Sequence, residues 1–167
     1  MGFHEIDVKK LTASPFSLIG DVWFLLTAGG ENAYNTMTAS WGGMGVLWGK
    51  NVVTSYIRPQ RHTLSFIENE DLFTLCFFDE TYRDALKYCG SHSGRDVDKA
   101  KETGLTPVFD RGTTYFAEAS LVLICKKMYK QDFDPACFLD PAIEKNYANK
   151  DYHRMFIGEI LCALSRD

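Results

Sequence analysis

Two stretches bring together residue types that can hold a phosphorylated ligand. In Asn35-Thr36-Met37-Thr38-Ala39-Ser40-Trp41-Gly42-Gly43, small amide and hydroxyl side chains are interleaved with apolar ones in a strand-like run. In Ile57-Arg58-Pro59-Gln60-Arg61-His62-Thr63, two arginines, a histidine and a threonine gather where Pro59 ends an extended run over residues 52–57. Leu64, Phe66 and Ile67 then supply the apolar face of a helix, closed by Glu68-Asn69-Glu70. A helix that begins near Arg61 or Thr63 leaves its first N–H groups without intrahelical partners and concentrates positive potential there. A phosphate would bind at such a place, with Arg58 and Arg61 as charge-assisted donors and the Thr63 hydroxyl as cap or further donor. The competing reading keeps Thr63 as an N-cap only and leaves both arginines in water.

A second polar cluster runs from Ser91 through His92, Ser93, Gly94, Arg95, Asp96, Val97 and Asp98 to Lys99. Arg95 and Lys99, four apart around a helix start, can project toward one anion, and Ser93 with Gly94 can offer backbone N–H groups to it. A capped surface helix, with Asp96 and Asp98 neutralising the bases, is the alternative. His153 stands at the mouth of the last apolar run, where it can meet a ligand ring or bond a loop carbonyl; spacing does not choose between them. Cys89 and His92 lie three apart but have no third orienting residue, so a thiol hydrolase is not indicated. The four histidines show no ligand spacing for a metal. Gly42-Gly43-Met44-Gly45 lacks dinucleotide-fingerprint spacing, and no Gly-Lys-Ser/Thr run exists, which argues against Rossmann and P-loop sites.

The elements that must position these residues are mostly strands. Residues 1–16 read as an irregular leader, part of an irregular start over 1–19, and residues 21–28 as the first long strand, ending at Gly29-Gly30. A second strand covers 35–41, with Gly42, Gly43 and Gly45 interrupting it, and a tight turn at Gly49-Lys50-Asn51 leads into the strand 52–57. After the helix over 61–69, the unbroken apolar run 72–78 predicts a strand covered on both faces. Short helices follow over 82–88 and 96–102, separated by a break at 90–94. Residues 113–129 read as the longest strand, 132–140 as loop, 141–149 as a polar helix and 155–164 as the last strand. Five or six antiparallel strands with short helices between them suggest a decorated barrel.

A chain of 167 residues suits one domain spanning 1–167. Its 46% hydrophobic, 24% charged and 14% aromatic residues are those of a globular protein whose aromatic share suits a barrel core or a flat ligand. The net charge of -4 argues against general nucleic-acid affinity, and no apolar window approaches the roughly 18 residues of a spanning helix. Residues 1–6 lack the basic start and apolar core of a signal peptide, and five widely spaced cysteines without a Cys-x-x-Cys pair indicate neither a disulfide framework nor a zinc module, so a cytoplasmic location is expected.

Together, the runs 35–42, 57–63, 89–99 and 153–160 resemble the flavin reductase-like, FMN-binding split-barrel family, in its flavoredoxin-like branch. The resemblance extends from about residue 17 to the end. It implies a mainly β fold, a six-stranded antiparallel split β-barrel with short inserted helices, usually dimeric, with FMN held non-covalently near the subunit interface. It further implies that Asn35, Thr36, Thr38, Ala39, Ser40 and Trp41 lie along the isoalloxazine and ribityl chain. Arg58, Arg61 and Thr63 would meet the phosphate from one side, and Lys99 with Ser93 and Arg95 from the other. His153 matches a histidine near the flavin face where a nicotinamide docks. The implied activity is that of an NAD(P)H-dependent flavin reductase or an electron carrier with a redox partner protein, NADH or NADPH being the reductant. A non-catalytic FMN-binding or sensing module is the alternative, and neither reading involves nucleic acid or membrane.

Overall fold

The computed structural model describes residues 2–166. Its strands are β1 (His4–Ile6), β2 (Phe24–Gly30), β3 (Ala33–Ala39), β4 (Gly42–Leu47), β5 (Lys50–Ile57), β6 (Leu72–Phe77), β7 (Pro107–Asp110), β8 (Thr113–Phe116), β9 (Leu121–Asp132) and β10 (Arg154–Ser165). Four short helices interrupt them: α1 (Pro15–Ser17), which runs into a π-helical turn over Leu18–Val22, α2 (Thr63–Asn69), α3 (Arg83–Ser91) and α4 (Lys99–Thr103). One antiparallel sheet takes the order β3-β2-β6-β9-β10-β5-β4, with β1 paired to β10, and β7–β8 form a separate hairpin.

Hydrophobic burial closes that sheet on itself. Phe24 and Leu26 of β2, Met37 of β3, Val53 and Ile57 of β5, Phe73 and Phe77 of β6, Leu123 of β9 and Phe156 of β10 meet Ile67 of α2 in one apolar cluster. Strands from the two ends of the sheet therefore face each other across a common core, although β3 and β4 do not pair. The barrel is split at that seam, and the two seam strands are joined in sequence by Ser40 and Trp41. A second cluster lies on the outer side: Leu25, Cys76, Val122 and Ile124 of the sheet pack against Leu86 and Cys89 of α3, Ala100 of α4 and Phe116 of β8. β6 and the first five residues of β9 are thus covered on both faces, which explains their nearly unbroken apolar runs, whereas β9 beyond Cys125 is polar and largely exposed.

Register shifts in the β9–β10 ladder fall between Ile157 and Gly158 and between Ile160 and Cys162, bending these two long strands around the core. Gly158 has a packing reason to be there, because a Cβ at that position would stand 2.5 Å from Cζ of the fully buried Phe73 and 3.1 Å from Cβ of Cys125.

Several boundaries depart from the sequence reading. The leader is not wholly irregular: His4–Ile6 add a strand to β10. Residues 21 and 22 belong to the π-helical turn, so the first long strand starts at Phe24. The glycines at 42, 43 and 45 build β4, a strand of its own paired to β5, and the connecting turn falls at Trp48-Gly49, both with positive φ. The run 113–129 divides into β8 and β9, and β7 was unanticipated. The α2 helix starts at Thr63, α3 continues through Gly90, α4 starts at Lys99, and the polar helix is a 3₁₀ segment over Pro141–Asn146. The main sheet has eight strands: β1 and β4 add to the six formed by β2, β3, β5, β6, β9 and β10.

Gly158→Ala should destabilise the fold by about 1–3 kcal/mol through overpacking against Phe73. The urea unfolding midpoint measures this; a midpoint equal to that of the unmodified chain would show that the β9–β10 bend accommodates the methyl group.

Candidate functional site

β3 has one unpaired edge, and α3 ends beside it with carbonyls that lack intrahelical donors. Two cations supply the donors. Lys99 Nζ donates to Thr36 O (2.7 Å) and Cys89 O (2.8 Å), and Arg61 Nη1 donates to Gly90 O (2.8 Å). Thr38 Oγ1 ties the same strand to Leu86 O of α3. On the α2 side, Asn35 Nδ2 donates to Thr63 Oγ1 (2.8 Å), leaving that hydroxyl its own proton to give away. The loop before α4 approaches so closely that a Cβ on Gly94 would stand 1.9 Å from Asn35 Oδ1.

These bonds leave charge over. Neither Lys99 nor Arg61 makes an ion pair among the described residues. Arg61 Nη2 is buried without a hydrogen-bond partner. Burial, then the Arg61 charge, pushes the Lys99 amine down to about 8, and burial also lowers Arg61. Two partly desolvated cations that feel each other's charge, with no ion-pairing carboxylate among the described residues, make a candidate anion site.

Two cavities meet at Arg61. The first, about 240 Å³, lies at the seam of the barrel and is lined by Met37, Thr38, Ala39, Ser40, Trp41, Tyr56, Arg58, Arg61 and His153. The second, about 180 Å³, is polar and is lined by Asn35, Arg61, Thr63, Ser93, Lys99 and their neighbours. Most of the candidate residues fall in one or the other, but two do not. The Thr36 hydroxyl turns into the sheet toward Thr27 Oγ1 (2.8 Å) and Leu26 O, so only its carbonyl takes part. Arg95 donates to Gln60 O (3.3 Å) and lines a neighbouring cleft of about 430 Å³ with Asp96 and Asp98. Arg58 sits in the first cavity rather than beside Thr63, paired to Asp151 (2.8 Å) and stacked over Tyr147 at 5.1 Å. Thr63 makes no cap bond; its oxygen is committed to Asn35.

His153 forms one wall of the first cavity, its ring 5.3 Å from that of Trp41. Its Nδ1 bonds the Tyr147 hydroxyl (2.8 Å), a partner different from the loop carbonyl considered above. Burial first, and the charge of Arg58 second, push the imidazole down to about 4, so it is neutral at pH 7. Cys89 is buried and pushed up to about 11, while the His92 ring stacks on Tyr88 at 3.8 Å; no thiolate–imidazole pair forms. Among the described residues no cluster of His, Cys, Asp or Glu could hold a metal, and no helix is long and apolar enough to cross a membrane.

Residues 17–165 match the family model described as the flavin reductase like domain. The chain belongs to this family. No curated protein sequence matches it. Among solved structures, a flavoredoxin from Methanosarcina acetivorans is 22% identical, with a TM-score of 0.70 over 87% of this chain and 68% of that one. An FMN-binding domain of a flavin reductase-like enzyme from Shewanella baltica is 19% identical, with a TM-score of 0.70 over 98% and 77%. The NADH:FAD oxidoreductase of Streptomyces globisporus is 18% identical, with a TM-score of 0.67 over 88% and 78%. At these identities the likeness carries the fold.

In this flavin reductase-like domain, three residues of the site escaped the sequence reading. Tyr56 shares a strand face with Arg58, and the period of two would have found it. Tyr147 and Asp151 reach His153 and Arg58 through tertiary contacts that no local pattern announces.

The low His153 value has a consequence for stability. Free histidine titrates near 6.5 and the folded residue near 4, so between these values the unfolded chain binds more protons and stability falls as pH falls. The unfolding midpoint of the unmodified chain should therefore drop more between pH 7 and pH 4 than that of His153→Gln. Parallel pH profiles would remove His153 as the cause.

Proposed function

We propose that the chain is an FMN-binding redox protein, reduced by NADH, NADPH or a protein donor and passing electrons to free flavin or a partner protein. The observation that carries this reading is the buried Lys99 and the half-buried Arg61, whose Nη2 is enclosed, both without a counter-charge among the described residues, at the junction of a polar cavity and an aromatic-walled cleft. A phosphate fits the donors present: the unpartnered Nη2 of Arg61, the Lys99 ammonium and the Thr63 hydroxyl. A flat ring fits between Trp41, Tyr56 and His153, beside the strand end at Thr38 and Ala39. The family match and the FMN-binding neighbour support the same cofactor.

When bound, FMN would supply hydride acceptance and electron release. The chain would do the rest. Lys99 and Arg61 would fix the phosphate and so the register of the ring in the cleft. Trp41 would shield the cleft from water, and Tyr147 holds the neutral His153 ring in place. An uncharged imidazole there adds no positive charge beside Arg58, whose own charge Asp151 balances.

The free edge of β4, with Val46 74% exposed and Trp48 of the turn that follows it 56% exposed, supports a homodimer, and five unpaired cysteines suit a reducing, cytoplasmic setting. Sedimentation of the purified chain as a monomer would remove the dimer from this reading.

An anaerobic absorbance spectrum before and after NADH, then NADPH, tests the proposal. The expected result is a bound yellow chromophore that one donor bleaches rapidly. Bound flavin that neither donor bleaches would point to a sensing or storage module, and failure to take up FMN in titration would end the reading. Lys99→Met and Thr63→Ala should each weaken FMN binding by about 1–3 kcal/mol. Because anion binding needs the charged amine, affinity should fall as pH rises through about 8 in the unmodified chain. Lys99→Met should lose that pH dependence; unchanged affinity in both variants would show the phosphate to lie elsewhere.

A further inference from the structure

Next to the ring cleft, and sharing Ser40, Trp41 and Tyr56 with it, lies a larger cavity of about 570 Å³. α1, through Phe16, and the turn that follows it, through Ile19 and Gly20, line one part of it. Gly42, Gly43 and Met44 of β4 form the floor, and Phe133, Ile143 and Tyr147 form the far wall.

Not one lining residue is charged. The contrast with its neighbours is sharp, since Arg58 and Arg61 line the ring cleft and Arg61 and Lys99 the polar cavity. Arg58 approaches Tyr147 from the side of the ring cleft and is already committed to Asp151 and Asn146 O. The polar groups along the large cavity are neutral: the hydroxyls of Ser40, Tyr56 and Tyr147, and the Asn146 amide. The Tyr56 hydroxyl is only weakly engaged, 3.5 Å from Thr54 Oγ1, so it keeps capacity for another partner. Phe16, 88% exposed, holds a large apolar ring at the rim.

We propose that this cavity binds an uncharged aromatic molecule bearing a hydroxyl or carbonyl group, as a second ligand beside the flavin ring. Aromatic walls favour a flat ring, the neutral hydroxyls and amide suit one or two hydrogen bonds, and a charged group would be desolvated there without a partner. The same argument excludes the pyrophosphate of a nicotinamide dinucleotide from this cavity, which leaves that ligand only the ring cleft and its basic margin. The adjacency to flavin rests on the FMN reading above; the ligand class rests on the cavity alone.

The test compares 2-naphthol with naphthalene-2-sulfonate, the same ring system without and with a charge, by calorimetry on the full chain, with an FMN titration in parallel. 2-Naphthol should bind, and the sulfonate should bind at least about tenfold more weakly. Gly20→Leu should weaken 2-naphthol by about tenfold, because a Cβ at Gly20 meets nothing within 4 Å and the side chain can fill the cavity. Phe16→Ala, at an exposed rim position that cannot unfold the chain, should weaken it by about threefold. FMN affinity should be unchanged in both variants. Equal affinity for the two probes, or full 2-naphthol affinity in Phe16→Ala and in a folded Gly20→Leu, would overturn the proposal. So would a cavity that rejects 2-naphthol while Phe16→Ala shifts sedimentation toward monomer, since a second copy of the chain would then occupy it. Retained 2-naphthol binding in a protein that takes up no FMN would leave this inference standing and remove only the cofactor reading.

Discussion

Buried backbone carbonyls without partners are costly, and the split in the barrel creates a set of them. The free edge of β3 and the last turn of α3 face one another, each short of donors, and the chain answers with Lys99 and Arg61. Neutral side chains could have donated as well. By using an ammonium and a guanidinium, the chain satisfies the carbonyls and also imports two positive charges that the carbonyl dipoles only partly offset. The positive site is in this sense a by-product of closing a helix against an open strand edge. Its position at the barrel seam follows because the edge exists only there.

That origin accounts for the division of labour between the two cavities. Around Lys99 and Arg61 the protein leaves charge uncompensated, whereas at Arg58 it supplies Asp151, steadied in turn by Gln60. The first arrangement is poised for an anion from outside; the second is an internal brace that ties the segment around residues 146–151 to the end of β5. Tyr147 connects them to the ring cleft, lying under Arg58 and bonding His153, so the imidazole is held by packing and kept neutral by the same neighbours.

Much of the frame was legible in the sequence where burial is two-sided. The apolar run of β6 and the last strand could be read directly, because the short, turn-bounded run of β6 and the β-branched, aromatic residues that open the last strand suit a strand covered on both faces. The break between β8 and β9 could not: residues 117–120 contain neither Gly nor Pro, and the corner is set by backbone bonds such as Ala119 N to Phe116 O and Ser120 N to Phe77 O. The glycines of β4 misled for the opposite reason. They suggested interruption, while Gly42 and Gly43 in fact let the strand lie close on Thr54 of β5. At the candidate site, residue types pointed to a cluster of cations and hydroxyls, but not to which atoms line its cavities. Lys99, read as projecting toward an anion or lying on a capped surface helix, is buried against two backbone carbonyls, Thr36 looked like a wall and turns its hydroxyl inward, and Arg58 and Arg61, three apart, have opposite electrostatic fates.

The five cysteines end up in unlike surroundings. Cys76, Cys89, Cys125 and Cys162 are enclosed, and burial raises the thiol of each, to about 12 at Cys76 and about 11 at Cys89. Cys137 alone is exposed, on the segment that leads to the far wall of the large cavity. To an alkylating reagent the folded molecule is therefore nearly monofunctional, and the unfolded one is pentavalent. A fluorophore attached there would label a residue that lines neither the ring cleft, the polar cavity nor the large cavity, giving the chain a built-in handle for observation.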